Sequence, residues 1–129
     1  MPPKAKIFKE TILEAAFVIT REKGFECVNA RSLALQLGCS TQPIFRIYKD
    51  MAELKKDLFS HVESFYNRYL ESRMDPGNLF LSIGMAYIRF AREESNLFRM
   101  IFMDHHFKVN NFMDMLEGDE NTAIAAGIA

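Results

Sequence analysis

The chain has 129 residues, 49% of them hydrophobic, and a formal net charge of −1. That is enough apolar material for one compact core, or for a small head with part of a second domain. Near neutrality taken alone argues against a nucleic-acid binder. The distribution argues the other way. Residues 1–56 carry 10 Lys+Arg against 6 Asp+Glu, net +4, and residues 57–129 carry 6 against 11, net −5. Such an asymmetry fits a DNA-facing head on a body that avoids DNA. The two cysteines, Cys27 and Cys39, form no CxxC pair and have no histidine neighbours, which fits a reduced, cytoplasmic protein. The longest mostly apolar run, Phe80 to Ile88, contains Ser82 and is too short to span a bilayer, so no membrane partner is expected.

The spacing predicts a first helix from Lys6 to Lys23, with Phe8, Ile12, Ala15, Ala16 and Ile19 on one stripe and Gly24 ending it. The basic arm before it reads as a solvated tail. Phe25 and Val28 read as plugs beneath the second and third helices. Leu33, Ala34 and Leu37 mark the buried face of that second helix, and Gly38 suits a C-cap of positive φ. Ser40 offers an N-cap oxygen for a third helix, Thr41 to about Tyr48, with Pro43 in its first turn. So short a turn predicts a steep crossing, as in a helix-turn-helix. The third helix exposes Thr41, Gln42 and Arg46, with Lys49 just beyond, while Ile44 and Ile47 turn inward. Short polar groups at the start of an exposed helix are what a major groove accepts.

Asp50 caps a long fourth helix, with Glu53 three positions on and Leu54, Leu58, Val62, Phe65 and Tyr69 along one face to about Arg73. Met74 to Asn78 is the strong breaker cluster and the expected domain boundary. A fifth helix is expected from Leu79 to Arg92, with Phe80, Ile83, Tyr87, Ile88 and Ala91 inside. A sixth runs from Leu97 to Phe107, capped by Ser95. From Glu117 the chain shifts to acidic and small residues, in which no folded element is legible.

Residues 6–60 resemble the DNA-binding domain of the TetR family of bacterial transcriptional regulators. The resemblance rests on Lys23-Gly24-Phe25, Ala30-Arg31-Ser32-Leu33-Ala34, Leu37-Gly38-Cys39-Ser40, Ile44-Phe45-Arg46-Ile47-Tyr48 and Glu53-Leu54, in order and without gaps. A softer likeness, from Tyr87 to Phe102, is similar to the start of a TetR-type regulatory domain. The resemblance implies an all-α chain in three parts: a helix-turn-helix head (1–50), a connecting helix (51–73) and a partial ligand-binding and dimerisation domain (74–129). In this family the fourth helix links head to body, and its tilt sets how far apart two heads stand. Later helices close the pocket and hold a homodimer, and this chain ends before them. Its tail is too small for the roughly 800 Å² per partner of a stable interface, so a tight family-type dimer is not expected. The family usually has tyrosine at the position of Phe45 and lysine at that of Met51, both phosphate contacts.

The implied partners are double-stranded operator DNA and a small, mostly apolar effector. Arg31, Arg46 and Lys49 would hold phosphates; Thr41, Gln42 and Arg46 would read base edges. Ser40 and Phe45 complete the DNA-contacting set. Met85, Phe90, Phe98, Phe102 and Met103 belong to a Phe- and Met-rich cluster suited to varied apolar ligands; for any one of them, a place in a helical core is the plainer reading. No cofactor is implied. Asp104-His105-His106 are adjacent and so splay about 100° apart on a helix, which does not suit chelation. There is no nucleophile–base pattern, phosphate-binding glycine loop or dinucleotide signature, so no enzyme is expected. The reading is a DNA-binding transcriptional regulator, a repressor released by its effector. The alternative is a helical protein-interaction or ligand-binding module with little DNA affinity.

Overall fold

The computed structural model describes residues 7–103, which form helices and turns with no strand among them. The chain is all-α. Expectations that fall on the basic arm, the histidine pair, the last four residues of the sixth helix and the tail lie outside the described residues.

Helix α1 (Lys9–Lys23) buries Ile12, Ala15, Ala16 and Ile19, as their spacing requires. Phe8 does not join them. It precedes the helix in an extended conformation and is 56% exposed, because helical periodicity does not reach it. Phe17 and Thr20 also lie inside. The Thr20 hydroxyl donates to the Ala16 carbonyl at 2.8 Å, which satisfies a polar group in the core. Gly24 ends α1 at φ 108°, where any Cβ would sit 2.7 Å from a Glu26 carboxylate oxygen.

Helix α2 (Ala30–Leu37) starts with a reciprocal cap that the sequence reading did not include. The Ser32 amide donates to Asn29 Oδ1 at 2.8 Å, and the Asn29 amide donates to Ser32 Oγ at 3.0 Å. Leu33 and Ala34 are buried, whereas Leu37 is only half-buried. Gly38 takes the left-handed conformation, φ 69° and ψ 35°, and the Cys39 amide returns to the Ala34 carbonyl at 3.0 Å. No atom stands within 4 Å of a Cβ built there, so the demand on this position is one of backbone alone. Gly38→Val is expected to lower stability by about 1–2 kcal/mol, the cost of a Cβ at positive φ. Gly38→Asn should cost less. Chemical denaturation checks both, and a neutral valine variant would contradict this turn.

Helix α3 (Gln42–Ile47) carries Pro43 in its first turn, as expected. Its cap differs from expectation. Thr41, not Ser40, is the N-cap residue; its backbone is already helical, φ −78° and ψ −14°, and no side-chain oxygen caps the helix. The Thr41 carbonyl instead accepts from both Ile44 and Phe45, at 3.2 Å each.

Helix α4 (Met51–Glu71) is capped by Asp50, whose Oδ1 accepts from the Glu53 amide at 2.9 Å. It buries Leu54, Leu58 and Val62, holds Phe65 and Tyr69 at the core's edge, and ends two residues before Arg73. A 3₁₀ turn, Pro76–Asn78, leads into helix α5 (Leu79–Glu93).

The expected interior of α5 is largely corrected. Its inward residues are Ala86 and Phe90, with Ile83 and Ala91 half-buried. Phe80 is 91% exposed, Ile88 56% and Tyr87 39%. Ile88 lies about 160° around the helix from Phe90, so the two cannot share a face. Helix α6 (Ser95–Phe98) passes at once into a π-turn, Arg99–Met103. Ser95 is not its cap: the N-cap residue is Glu94, whose carboxylate is drawn instead to Arg21.

One hydrophobic cluster runs through all of this, from Ile12 and Leu33 through Ile44, Leu54 and Leu58 to Phe90, Leu97 and Ile101. Helix α1 packs against α2, α4 and α6, and α4 and α6 both pack against α5. Polar bonds tie the same elements. Arg21 Nε reaches both Glu94 carboxylate oxygens at 2.9 Å, and Asn96 Nδ2 donates to the Arg21 carbonyl at 3.0 Å. The hydrogen bond to Glu94 raises the Arg21 pKa against the opposing pull of burial, so the cation is firmly held.

Candidate nucleic-acid interface

The surface of interest is built by burying the opposite side of α3. Ile44 is fully buried, Ile47 half-buried, and Tyr48 is 1% exposed where the helix ends. Anchoring those three leaves the other face to solvent. Thr41, Gln42, Phe45 and Arg46 are all exposed on it, and Lys49 and Ser40 are exposed at its two ends.

The exposed residues fall into two rows. Gln42 and Arg46, four apart, stand on one flank with Ser40 and border a groove of about 680 Å³ that runs past Leu37 and Pro43 to Ile7 and Phe8. Thr41 and Phe45, also four apart, form the other row. Arg31 is exposed at the start of α2 and does not line the groove. Each of the seven residues singled out by the sequence is thus on the surface, and Ser40, Gln42 and Arg46 are brought together. With Arg46 and Lys49 as cations and Thr41 and Gln42 as short polar groups, the face has donors for phosphates and for base edges alike.

A residue network that the sequence reading missed fixes this helix. The Tyr48 hydroxyl donates to Asp57 Oδ2 on α4 at 2.9 Å, and Lys9 Nζ on α1 meets the same oxygen at 3.1 Å. Lys9 also lies 5.4 Å from the centre of the Tyr48 ring. Burial, then the bond to Asp57, pushes the Tyr48 phenol far above its ordinary range. Burial alone would raise the Asp57 carboxyl, but the hydrogen bonds from Lys9 and Tyr48 and the charge of Lys9 bring it below its usual value. Three helices therefore meet at the exit of α3. No local signal announces this, since the partners are nine and forty-eight residues apart.

Of the two departures from the TetR-like pattern, Phe45 is 45% exposed, an apolar ring on an otherwise polar face. Met51 is half-buried and packs against the core cluster at the first turn of α4.

Among the described residues, those considered for an effector lie in different surroundings. Phe90 is fully buried, with its ring centre 4.9 Å from Tyr66 and 5.1 Å from Tyr69. Phe98 and Phe102 are half-buried with their rings 4.8 Å apart, and Met103 is 67% exposed. Met85 lines a separate groove of about 690 Å³ on α5. Phe90 is a core residue here. His61 packs edge-on against Phe17 at 5.3 Å. Among the described residues, no three His, Cys, Asp or Glu side chains converge as a metal site would need, and no helix is long and apolar enough to cross a membrane. Compared with known proteins, the chain matches no family model, no curated protein and no solved structure.

Proposed function

We propose that this chain is a cytoplasmic, TetR-like, DNA-binding transcriptional regulator, with α3 lying in the major groove of an operator. One observation supports the reading: α3 is held by Ile44 and Tyr48 so that Ser40, Gln42 and Arg46 border one groove, with Thr41 exposed on the adjoining row. Binding has two layers, with Arg31, Arg46 and Lys49 on phosphates and Thr41, Gln42 and Arg46 on base edges. Occupying a promoter represses it. Helix α4 is the mechanical link, since Asp57 grips the exit of α3 and Tyr66 and Tyr69 touch Phe90 further along. A small apolar effector that binds the body and shifts α4 would change the spacing between two paired heads. Two heads then no longer match successive major grooves, roughly 34–36 Å apart.

Selection of bound duplexes from a random pool by the full chain tests this. Recovery of one shared motif is the expected result, and an unenriched pool would contradict it. Met51→Lys adds a cation at the start of α4. It should strengthen binding to every duplex alike, and a gain confined to one sequence would count against a phosphate contact there.

A second reading is favoured by exposed apolar side chains on α2 and α3. Leu35 is 84% exposed and Phe45 45%, which suits a protein-interaction module with little DNA affinity. That reading requires the selected pool to stay random.

A further inference from the structure

The groove of about 690 Å³ that Met85 lines has the size of a small-molecule site, and it mixes two kinds of surface. Met85, Ala86 and Ile88 give it an apolar floor. Its charged lining is three arginines, Arg73, Arg89 and Arg92, against one acid, Glu93, so three positive charges less one negative leave net +2. Ser82, the remaining polar residue of the lining, is already engaged. Its hydroxyl donates to the Leu79 carbonyl at 3.0 Å and accepts from the Asp75 amide at 2.9 Å.

Two of the arginines are fixed in place by a continuous chain of contacts. The Arg73 guanidinium lies 3.6 Å from the centre of the Tyr69 ring and donates to the Tyr69 carbonyl at 3.3 Å. The Tyr69 hydroxyl donates to Glu93 Oε2 at 3.1 Å, and Glu93 Oε1 meets Arg89 Nε at 3.1 Å. Glu93 is thereby spent on Arg89. Among the described residues, no carboxylate pairs with Arg73 or Arg92. Along α5, Arg89 stands one turn beyond Met85 and Arg92 one turn beyond Ile88. The groove therefore grades from apolar to cationic along the helix.

We propose that this groove binds an amphiphile with one anionic head, a carboxylate on a long apolar chain. Arg92 and Arg73 donate to the head in charge-assisted hydrogen bonds, and the chain lies along Met85 and Ile88. The occupant is a single molecule and not an anionic bilayer. A helix that lies on a membrane keeps its cations on the face opposite its apolar side chains, whereas here both line one concavity. The proposal takes from the reading above only that the body holds an effector. Binding measured without DNA succeeds or fails whatever the duplex selection shows.

The test is calorimetric titration of the full chain with dodecanoate below its micelle concentration, with dodecyltrimethylammonium as the probe of equal chain and opposite charge. Dodecanoate should bind as a single molecule per chain, about tenfold or more tighter than the cation. Arg92→Gln and Met85→Asp change exposed side chains, so the fold should persist, as helical circular dichroism will show. Each should weaken dodecanoate by about tenfold or more, the first through the head and the second through the chain. Undetectable binding, equal affinity for the two probes, uptake of many molecules per chain, or native affinity in both variants would each overturn the proposal. So would retention of the chain on phosphatidylglycerol vesicles that Arg92→Gln abolishes, which would assign these arginines to a membrane.

Discussion

Phe90→Ala is expected to lower the unfolding free energy by about 3–5 kcal/mol, as large a loss as any single substitution in this chain should give. The ring is fully buried on α5 and lies against three aromatic neighbours on α4, with centre separations of 6.3 Å to Phe65, 4.9 Å to Tyr66 and 5.1 Å to Tyr69. Alanine removes the transfer free energy of the ring and leaves a cavity that its helical neighbours cannot collapse to fill. The edge-to-face contacts with both tyrosines go as well. Phe90→Leu keeps most of the volume and should cost about half as much. Urea denaturation monitored by helical circular dichroism gives both values. A loss below about 1 kcal/mol would mean that α5 is not seated on α4 as described. Ile88→Ala is the internal control, because a half-exposed side chain on the far face should change little.

Tyr48→Ala should come next, at about 3 kcal/mol or somewhat more, and for a different reason. The ring is 1% exposed, and its hydroxyl holds Asp57 together with Lys9. Tyr48→Phe isolates the hydroxyl and should cost about 0.5–1.5 kcal/mol, the net worth of one hydrogen bond. The pair also predicts a pH dependence. The Asp57 carboxyl lies below its ordinary value of 3.8 in the folded protein, so its contribution is present above that pH. It is lost as pH falls through the depressed folded value. Stability of the native chain should therefore decline below about pH 4, and Tyr48→Phe should show a shallower decline there because one of the bonds holding Asp57 is gone. Identical acid limbs for the two proteins would contradict the network.

Much of residues 7–50 was legible because its signals are local. Gly38 was readable as a left-handed C-cap, Pro43 as a first-turn residue and Asp50 as an N-cap, each from its own chemistry. The stripe Ile12, Ala15, Ala16 and Ile19 came from helical spacing alone. So did the exposure of Thr41, Gln42 and Arg46, once Ile44 was turned inward. What could not be read are the relations between distant residues. Arg21 and Glu94 are 73 positions apart, and Lys9 and Asp57 forty-eight, so only packing reveals them.

Helix α5 resists reading from sequence for a related reason. Its sequence is apolar almost all round, and periodicity cannot choose a face when both are greasy. Contact with α4 and α6 chose Ala86 and Phe90, and left Phe80 and Ile88 outside. Ser40 and Ser95 were plausible caps by composition. In each case the backbone of the neighbouring residue took the capping position, and in the second an arginine from α1 claimed the Glu94 carboxylate.

We propose that DNA meets Arg46 on α3 and Lys49 just beyond it, and the salt dependence of duplex binding checks this. Duplex affinity of the native chain, Arg46→Ala and Lys49→Ala should be measured across a series of salt concentrations. Each cation that meets a phosphate releases about one counterion, so each variant should bind more weakly, with a plot of log affinity against log salt shallower by about one unit. Slopes that stay unchanged in both variants would contradict the assignment of this helix to DNA.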